Sequence, residues 1–541
     1  MMKHFILLIS LLPVSAFALV DMRNANYAET WIDLEIQGSG YNLRVQRTYN
    51  SRSLFNGMFG FGWCSDFETS LEISAEGNLK LTECGAGLEV IYMPSNVSKK
   101  DVNVVIQQII TKLRSTSSHL TRSYLSDLTN QLKNDRRLRD KMMEDLGLQS
   151  KLQKAGRFMA NGRGPDFIEL RDSYYHRKLP GGETQKFDFQ GRLVQLVDKN
   201  GNSLAFTYAG ETLRDVVDNN GKKLNFSFYS NKKVKRITGP NGVGAEYTFK
   251  NLNDLDTVKN GFGNVYRYAY DDLHNLVSID FPDKTKKTIT YDTNKDWVTS
   301  FKDRDNCKEE YKYELSKDDP KQHYWSTVTK KCNDKVVTTG RYEFWYKTNE
   351  QKGDTYLSRV LIKNNNETQD ITYHPVFGRP LSITKNGRTT KFEYNERTGL
   401  LAKRTEGKLA VAFEYDEACK KVSKVSQGRL STNYKYDYKC NLTYAKNKKG
   451  QIVNLGYDHV GRITSLMDQA KRQVNIKYEN KFGKPATVER PGVGTLQVSY
   501  KNNGEINKVD SPAGPTVAVQ VAGAFNNLLE VVEPAGVDLG L

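Results

Sequence analysis

Seven histidines, six cysteines and 63 aspartates and glutamates are the residues from which this 541-residue chain could build chemistry. Histidines one helical turn apart would hold zinc, and a histidine beside a serine or cysteine would activate a nucleophile. His4, His119, His176, His274, His323, His374 and His459 are scattered, with no HExxH or similar metal pattern among them. GxSxG, P-loop and Gly-rich dinucleotide signatures are missing as well. Carboxylates such as Asp271 and Asp292 recur in turns, where stacking could form a cation-binding ladder, although exposed turn carboxylates usually face water. Glycoside hydrolysis needs two carboxyls across a cleft, and no such pair is marked. The expectation is a non-enzymatic protein without cofactor or metal.

The cysteines suggest structure rather than catalysis. Three sequence-local pairs stand out: Cys64 with Cys84, Cys307 with Cys332, and Cys419 with Cys440. The last is separated by 21 residues, so a bridge there would close a loop worth about 3 kcal/mol by chain entropy. Other connectivities among six cysteines stay open.

Charge is the remaining chemical asset. A formal charge of +17 favours polyanionic partners: anionic glycans, an anionic envelope or nucleic acid. The first 18 residues disfavour the last. Lys3, the apolar run Phe5 to Leu12 and Ala16-Phe17-Ala18 have the form of a cleaved export signal, and no segment is long and apolar enough to span a bilayer. The mature protein is expected to be secreted, periplasmic or at the cell surface.

The elements that would position these groups follow from a 21-residue period. Tyr373, Tyr394, Tyr415, Tyr436, Tyr457 and Tyr478 keep it, and Phe228, Phe249, Tyr270 and Tyr291 keep the same step earlier. Apolar residues such as Leu276, Leu442 and Ile463 stand six places beyond the aromatic, and Asp271, Asp292, Asp416, Asp437 and Asp458 directly follow it. Asn-Gly pairs at 200, 220, 241, 260 and 386 mark a second turn, expected as type I′. Two turns per period leave two short strands, so each repeat is one β-hairpin. With 30 Tyr and 23 Phe and a mean hydropathy of −0.64, the composition suits thin sheets. Residues 187–508 hold about 15 such units, a ribbon of roughly 150 Å that must curl into about one turn of a wide spiral some 45–50 Å across. Residues 305–372 break the step and are expected to form longer hairpins.

Two segments differ. Between 97 and 160, Ser98-Lys99-Lys100-Asp101 resembles a capping box, and apolar residues then recur at helical spacing. The reading is two or three amphipathic helices whose apolar stripe packs on the repeat sheet. Their basic residues Lys133, Arg136, Arg137 and Arg139 are either solvated or a polyanion contact. The tail from 509 has no Lys or Arg; Val517, Val519 and Val521 alternate like a strand, and Phe525, Leu528, Leu529 and Val532 have helical spacing. A strand and a short helix are expected to cap the sheet's open end, with the acidic tail against basic surface.

The Tyr-Asp repeats, together with Gly38-Ser39-Gly40-Tyr41-Asn42-Leu43, Arg47-Thr48-Tyr49-Asn50-Ser51-Arg52 and Phe59-Gly60-Phe61-Gly62-Trp63, resemble the Rhs/YD-repeat family. That resemblance implies a mainly β spiral shell of tandem hairpins, here with an inserted helical segment. In the family such shells encase a toxin or present a contact surface. Family toxins carry an Asp-Pro-x-Gly-Leu cleavage motif before the toxic domain, whereas this chain ends Val537-Asp538-Leu539-Gly540-Leu541. A shell without its own toxin domain is therefore expected, with any cargo a separate effector polypeptide. The divisions expected are 1–18 signal, 19–96 N-terminal β domain, 97–160 helical insertion, 161–508 hairpin array and 509–541 cap. The functions implied are surface binding to an anionic glycan or envelope component, or service as a short carrier in toxin delivery.

Overall fold

The computed structural model describes residues 19–532, apart from 39, 74–76, 84–87, 95–98, 117–119, 149–155, 161, 162, 164, 349–354, 366, 502 and 503. The expected signal at 1–18, the capping serine Ser98, Cys84 and the tail 533–541 lie outside these residues.

One antiparallel sheet of 36 strands dominates. It runs strand by strand from Ser70–Ile73 to Ile506–Asp510, each strand paired with the next in sequence along the whole array. The hairpin period is thus the sheet's building unit. In most repeats the register slips just before the aromatic mark, for example between Ser227 and Phe228, Glu414 and Tyr415, and Gly456 and Tyr457. A bulge recurring at the same end of most hairpins bends the strand and adds twist, which gives the ribbon a consistent direction of curl.

The tyrosine and the apolar residue six places on are halves of one contact. The Tyr457 hydroxyl donates to the Leu442 carbonyl and Tyr478 to that of Ile463, each at 2.7 Å. Tyr208, Tyr291, Tyr394, Tyr415 and Tyr436 repeat this bond to a carbonyl 14 or 15 residues back. Each repeat is thereby stitched to its predecessor beyond the ladder bonds.

The aspartates cap the turns. Asp458 Oδ1 accepts from the backbone N–H groups of Val460 and Arg462, and Asp437 and Asp271 do the same in their turns. Two of the Asn-Gly sites use this device in place of the expected type I′ turn. At 200 and 220 the preceding Asp198 and Asp218 cap the turn, and only Gly201 and Gly221 take positive φ. Both central residues have positive φ at Asn241-Gly242 and Asn386-Gly387. An aspartate two places upstream competes successfully for the turn's N–H groups.

The wall makes more than the single wide turn expected. Asn441 Nδ2 donates to Asn200 Oδ1 (2.8 Å), Asn202 Nδ2 to the Val460 carbonyl (2.9 Å) and Lys222 Nζ to the Lys481 carbonyl (2.6 Å). These partners are 241 to 259 residues apart, so a second coil rests on the first through its turns. One revolution takes roughly 22 strands, a circumference of about 105 Å and a diameter of about 34 Å. The spiral is narrower than expected because each bulge adds curvature that a flat-ribbon estimate omits. At the start of the wall, Ser70 bridges to Arg192.

Alternate residues of the strands face inward, and in the first coil and the last hairpins they are buried. A second sheet of four strands, Leu19–Asp21, Asn26–Ile36, Leu43–Asn50 and Trp63–Ser65, lies against this inner face and shares one continuous core with it. The stretch 19–96 therefore supplies both this inner sheet and, from Ser70–Ile73 to Leu88–Pro94, the first strands of the wall.

Strand Leu88–Pro94 pairs directly with Arg157–Ala160, so the helices between them replace a hairpin loop. They are α1 (Lys99–Thr116), α2 (Arg122–Asn134) and α3 (Arg136–Asp145). Their apolar stripe does not pack on the wall as expected: Ile106, Ile109, Leu125, Leu132 and Met143 form a separate core among themselves. Three short amphipathic helices can satisfy one another, which removes any need for the sheet.

Beyond the last wall strand, the described residues of the tail form one helix, α4 (Pro515–Val532), where a strand over 517–521 was expected. Val517, Val521, Phe525, Leu528 and Leu529 meet the inner face of the last hairpins, while Val519 is 64% exposed. The alternation of valines was coincidental; the i, i+4 spacing decides the structure. Cys307–Cys332 and Cys419–Cys440 are disulfides, the latter spanning equivalent turn positions of adjacent repeats with Cα atoms 5.4 Å apart.

Candidate binding surfaces

The densest polar cluster joins the inner sheet to the wall. Arg47, fully buried, donates to Asp33 through Nε (2.6 Å) and Nη2 (3.2 Å), and Nη2 also donates to the Tyr268 hydroxyl (2.6 Å). The Tyr247 hydroxyl donates to Asp33 (3.0 Å), and the Arg47 guanidinium lies 4.2 Å from the Trp63 ring centroid. Burial opposes the Arg47 charge, but Asp33 and Tyr268 more than offset it and hold its pKa above the usual value. Nearby, Lys287 pairs with Glu29 (2.6 Å), which also accepts from the Tyr27 hydroxyl. Backbone contacts continue the junction, from Leu276 N–H to the Tyr49 hydroxyl and from Phe61 N–H to the Asn253 carbonyl. Apart from Arg47 Nη1, which is buried without a hydrogen-bond partner among the described residues, these groups are committed to one another, so the constellation holds the inner sheet in place.

Glu68 sits at the edge of the same junction. Its carboxylate accepts from the Met58 (2.6 Å) and Ser65 (3.1 Å) backbone N–H groups, while Lys233 binds the Asn56 and Gly57 carbonyls beside it. Burial pushes the Glu68 carboxyl up to about 7, despite those two N–H groups and Lys233. The unfolded chain ionises near 4.5, so stability from this site is full below that pH and declines as pH rises towards 7. The decline should total about 3 kcal/mol. Glu68→Gln should flatten it, as read from denaturation midpoints between pH 4 and 8.

The histidines and turn carboxylates are held locally. Asp271 and Asp292 accept from N–H groups of their own turns. His274 bonds Asp254 (2.8 Å), and His374 stacks on Phe377 with ring centroids 4.4 Å apart. Among the described residues no three His, Cys, Asp or Glu side chains gather where they could hold a metal ion.

Of the four basic residues singled out in the helical unit, the side chains of two are described. Arg139 is buried and donates to the Leu132 carbonyl at the end of α2 (2.5 Å), a helix-capping role. Lys133 is exposed beside Asn130, and the side chains of Arg136 and Arg137 lie outside the described residues.

Charge is instead concentrated in the second half of the wall. Residues 379–484 hold 23 Lys and Arg against 10 Asp and Glu, most of the chain's excess. Sequence reading missed this because it weighed the sum and one helical cluster rather than the distribution. On the outer face a few of these cations pair across strands, as in Lys403–Glu393 and Lys424–Glu414. The outer aromatics near the longer hairpins are also engaged: Trp345 stands between His323 and Arg359, each 4.7 Å from its ring centroid. That indole offers no bare face for stacking a sugar. The inner face between the N-terminal sheet and α4 is different again, with Ile371, Ile383, Phe392, Val411 and Phe413 only half-buried.

A family model described as a domain of unknown function, DUF6531, matches residues 19–90. No curated protein matches the chain. Among solved structures, the crystal structure of TcdB2-TccC3-TEV is similar over 90% of this chain and 29% of that one, with 10% identity and a TM-score of 0.38. The structure of a Photorhabdus luminescens Tc holotoxin pore is similar over 90% of this chain and 28% of that one, with 10% identity and a TM-score of 0.36. A porin-like protein from Bacteroides uniformis is similar over 47% of this chain and 87% of its own, with 10% identity and a TM-score of 0.14. The chain spans less than a third of the length of the first two.

Proposed function

We propose that this protein is an exported, non-enzymatic shell of the Rhs/YD-repeat kind that binds an anionic glycan or envelope component at or beyond the cell surface. The observation that carries this reading is the charge excess of residues 379–484, mounted on a wall whose polar constellations are otherwise committed to its own structure. A rigid scaffold with a one-signed surface attracts polyanions at long range and loses that attraction in salt. The test is retention of the mature protein on immobilised sulfated and carboxylated polysaccharides. Binding that weakens at least tenfold between about 50 and 300 mM salt, with none to neutral dextran, supports it. Equal retention on neutral and charged matrices overturns it.

A second reading, a carrier for a separately encoded polypeptide, draws on the half-buried apolar stretch of inner face around Ile371, Phe392 and Phe413. Co-purification of a second polypeptide from the producing cells, released only on denaturation, would favour it.

A further inference from the structure

The two rims of the wall differ over residues 379–484. One rim, formed by the turns around 440, 460 and 481, is pressed against the first coil through Cys440, Val460 and Lys481. The hairpins are each one strand deep, so the turns at their opposite ends form the free edge of the second coil. These are the turns joining the strands at 385/388, 406/409, 427/430, 446/452 and 468/473. Every one of the five presents an exposed cation: Arg388, Lys408, Arg429, Lys449 and Lys471. None of these five has a carboxylate within ion-pair distance among the described residues, in contrast to Lys385 with Glu367 or Arg472 with Asp468 alongside them. Tight turns set the positions: Gly387, Gly407 and Gly428 take positive φ immediately before Arg388, Lys408 and Arg429.

We infer that this free rim is a docking track for a linear anionic polysaccharide, which lies along it and meets one cation per hairpin. The inference rests on the polyanion-binding reading and adds where the polymer sits. Neighbouring turns are two strands apart, about 10 Å, so the five cations span roughly 40 Å along an edge that turns through about 130°. Regularly spaced point charges suit a polymer whose acidic groups also recur regularly, and unpaired cations contribute more than those already neutralised across strands. Nucleic acid fits less well, because base stacking needs aromatic side chains among the cations and these five turns hold none. The rim also explains why the charge excess falls in this half of the wall: the first coil's equivalent turns are occupied by the seam.

The experiment compares the intact mature protein with two variants, using dextran sulfate as probe. The rim variant carries Arg388→Ser, Lys408→Ser, Arg429→Ser, Lys449→Ser and Lys471→Asn. The wall variant removes the same charge through Lys391→Ser, Lys403→Ser, Lys424→Ser, Lys435→Ser and Lys477→Ser. The rim variant should lose affinity by about tenfold or more, and the wall variant by about threefold or less. Size-fractionated probe shorter than the rim should bind the unmodified protein more weakly than long chains. Equal losses in the two variants overturn the track while leaving polyanion binding intact; no binding by the unmodified protein overturns both. Single-stranded DNA or anionic-lipid vesicles bound as tightly as dextran sulfate, with the same dependence on the rim, would overturn the polysaccharide assignment. Unchanged denaturation midpoints in both variants establish that folding is not being measured.

Discussion

Arg47→Ala should destabilise the protein by about 3–5 kcal/mol, the cost of leaving one member of a buried ion pair alone. The alanine removes two donors from Asp33, which is 1% exposed and would retain a single hydrogen bond from Tyr247. It also empties the space beside Trp63 and orphans the Tyr268 hydroxyl. Because Tyr247 and Tyr268 lie on the wall while Arg47, Asp33 and Trp63 lie on the inner sheet, the expected lesion is undocking of residues 19–65. Chemical denaturation should show an earlier transition, and limited proteolysis should release that segment first. Arg47→Lys restores the charge without the two-pronged geometry and should recover only part of the loss. Replacing both partners, Arg47→Met with Asp33→Leu, should be milder than Arg47→Ala, because no charge is then stranded. A double variant as damaged as the single one would show that the pair is not the source of the stability.

Val521→Asp should be comparably severe at the other end, about 4 kcal/mol. Val521 is fully buried between α4 and the last hairpins, in a cluster with Val488, Leu496 and Val498. A carboxylate there has no cation or N–H group to meet, so α4 should leave the sheet rather than bury it. The released helix would uncover Leu455, Leu466 and Ile476, and the variant should bind a hydrophobic dye and lose its C-terminal segment to protease. Val519→Asp, two residues away at an exposed position, should change neither readout.

The features visible in the sequence are those with local causes. Tyr436, Tyr457 and Tyr478 announce the hairpins because each repeat's geometry repeats its own chemistry, and the contact each makes is only 14 or 15 residues away. The bridge between Cys419 and Cys440 follows from the same spacing. The docking of the inner sheet was hidden because its partners are remote: Arg47 and Tyr268 are separated by 221 residues, Trp63 and Tyr270 by 207. Those residues belong to the motifs on which the family resemblance rests, yet nothing near Arg47 in the sequence says that it will be sealed from water. Arg139 misled for the opposite reason: a charge on a polar stretch looks solvated until the end of the preceding helix is known. The rim escaped notice because its cations share a period only with turns, and which turns stay free depends on how many strands complete a revolution.

That seam between coils has a consequence for how such a chain can change in length. The second layer meshes with the first as teeth do, Asn441 with Asn200 and Lys481 with Lys222. Recombination that adds or deletes whole hairpins advances the mesh by complete teeth and leaves each polar partner facing another cap of the same design. Loss of a single strand would invert every later tooth and exchange inner for outer faces downstream. Copy number is therefore free to drift only in 21-residue quanta, and each quantum turns the exposed edge by roughly 30° without altering its chemistry.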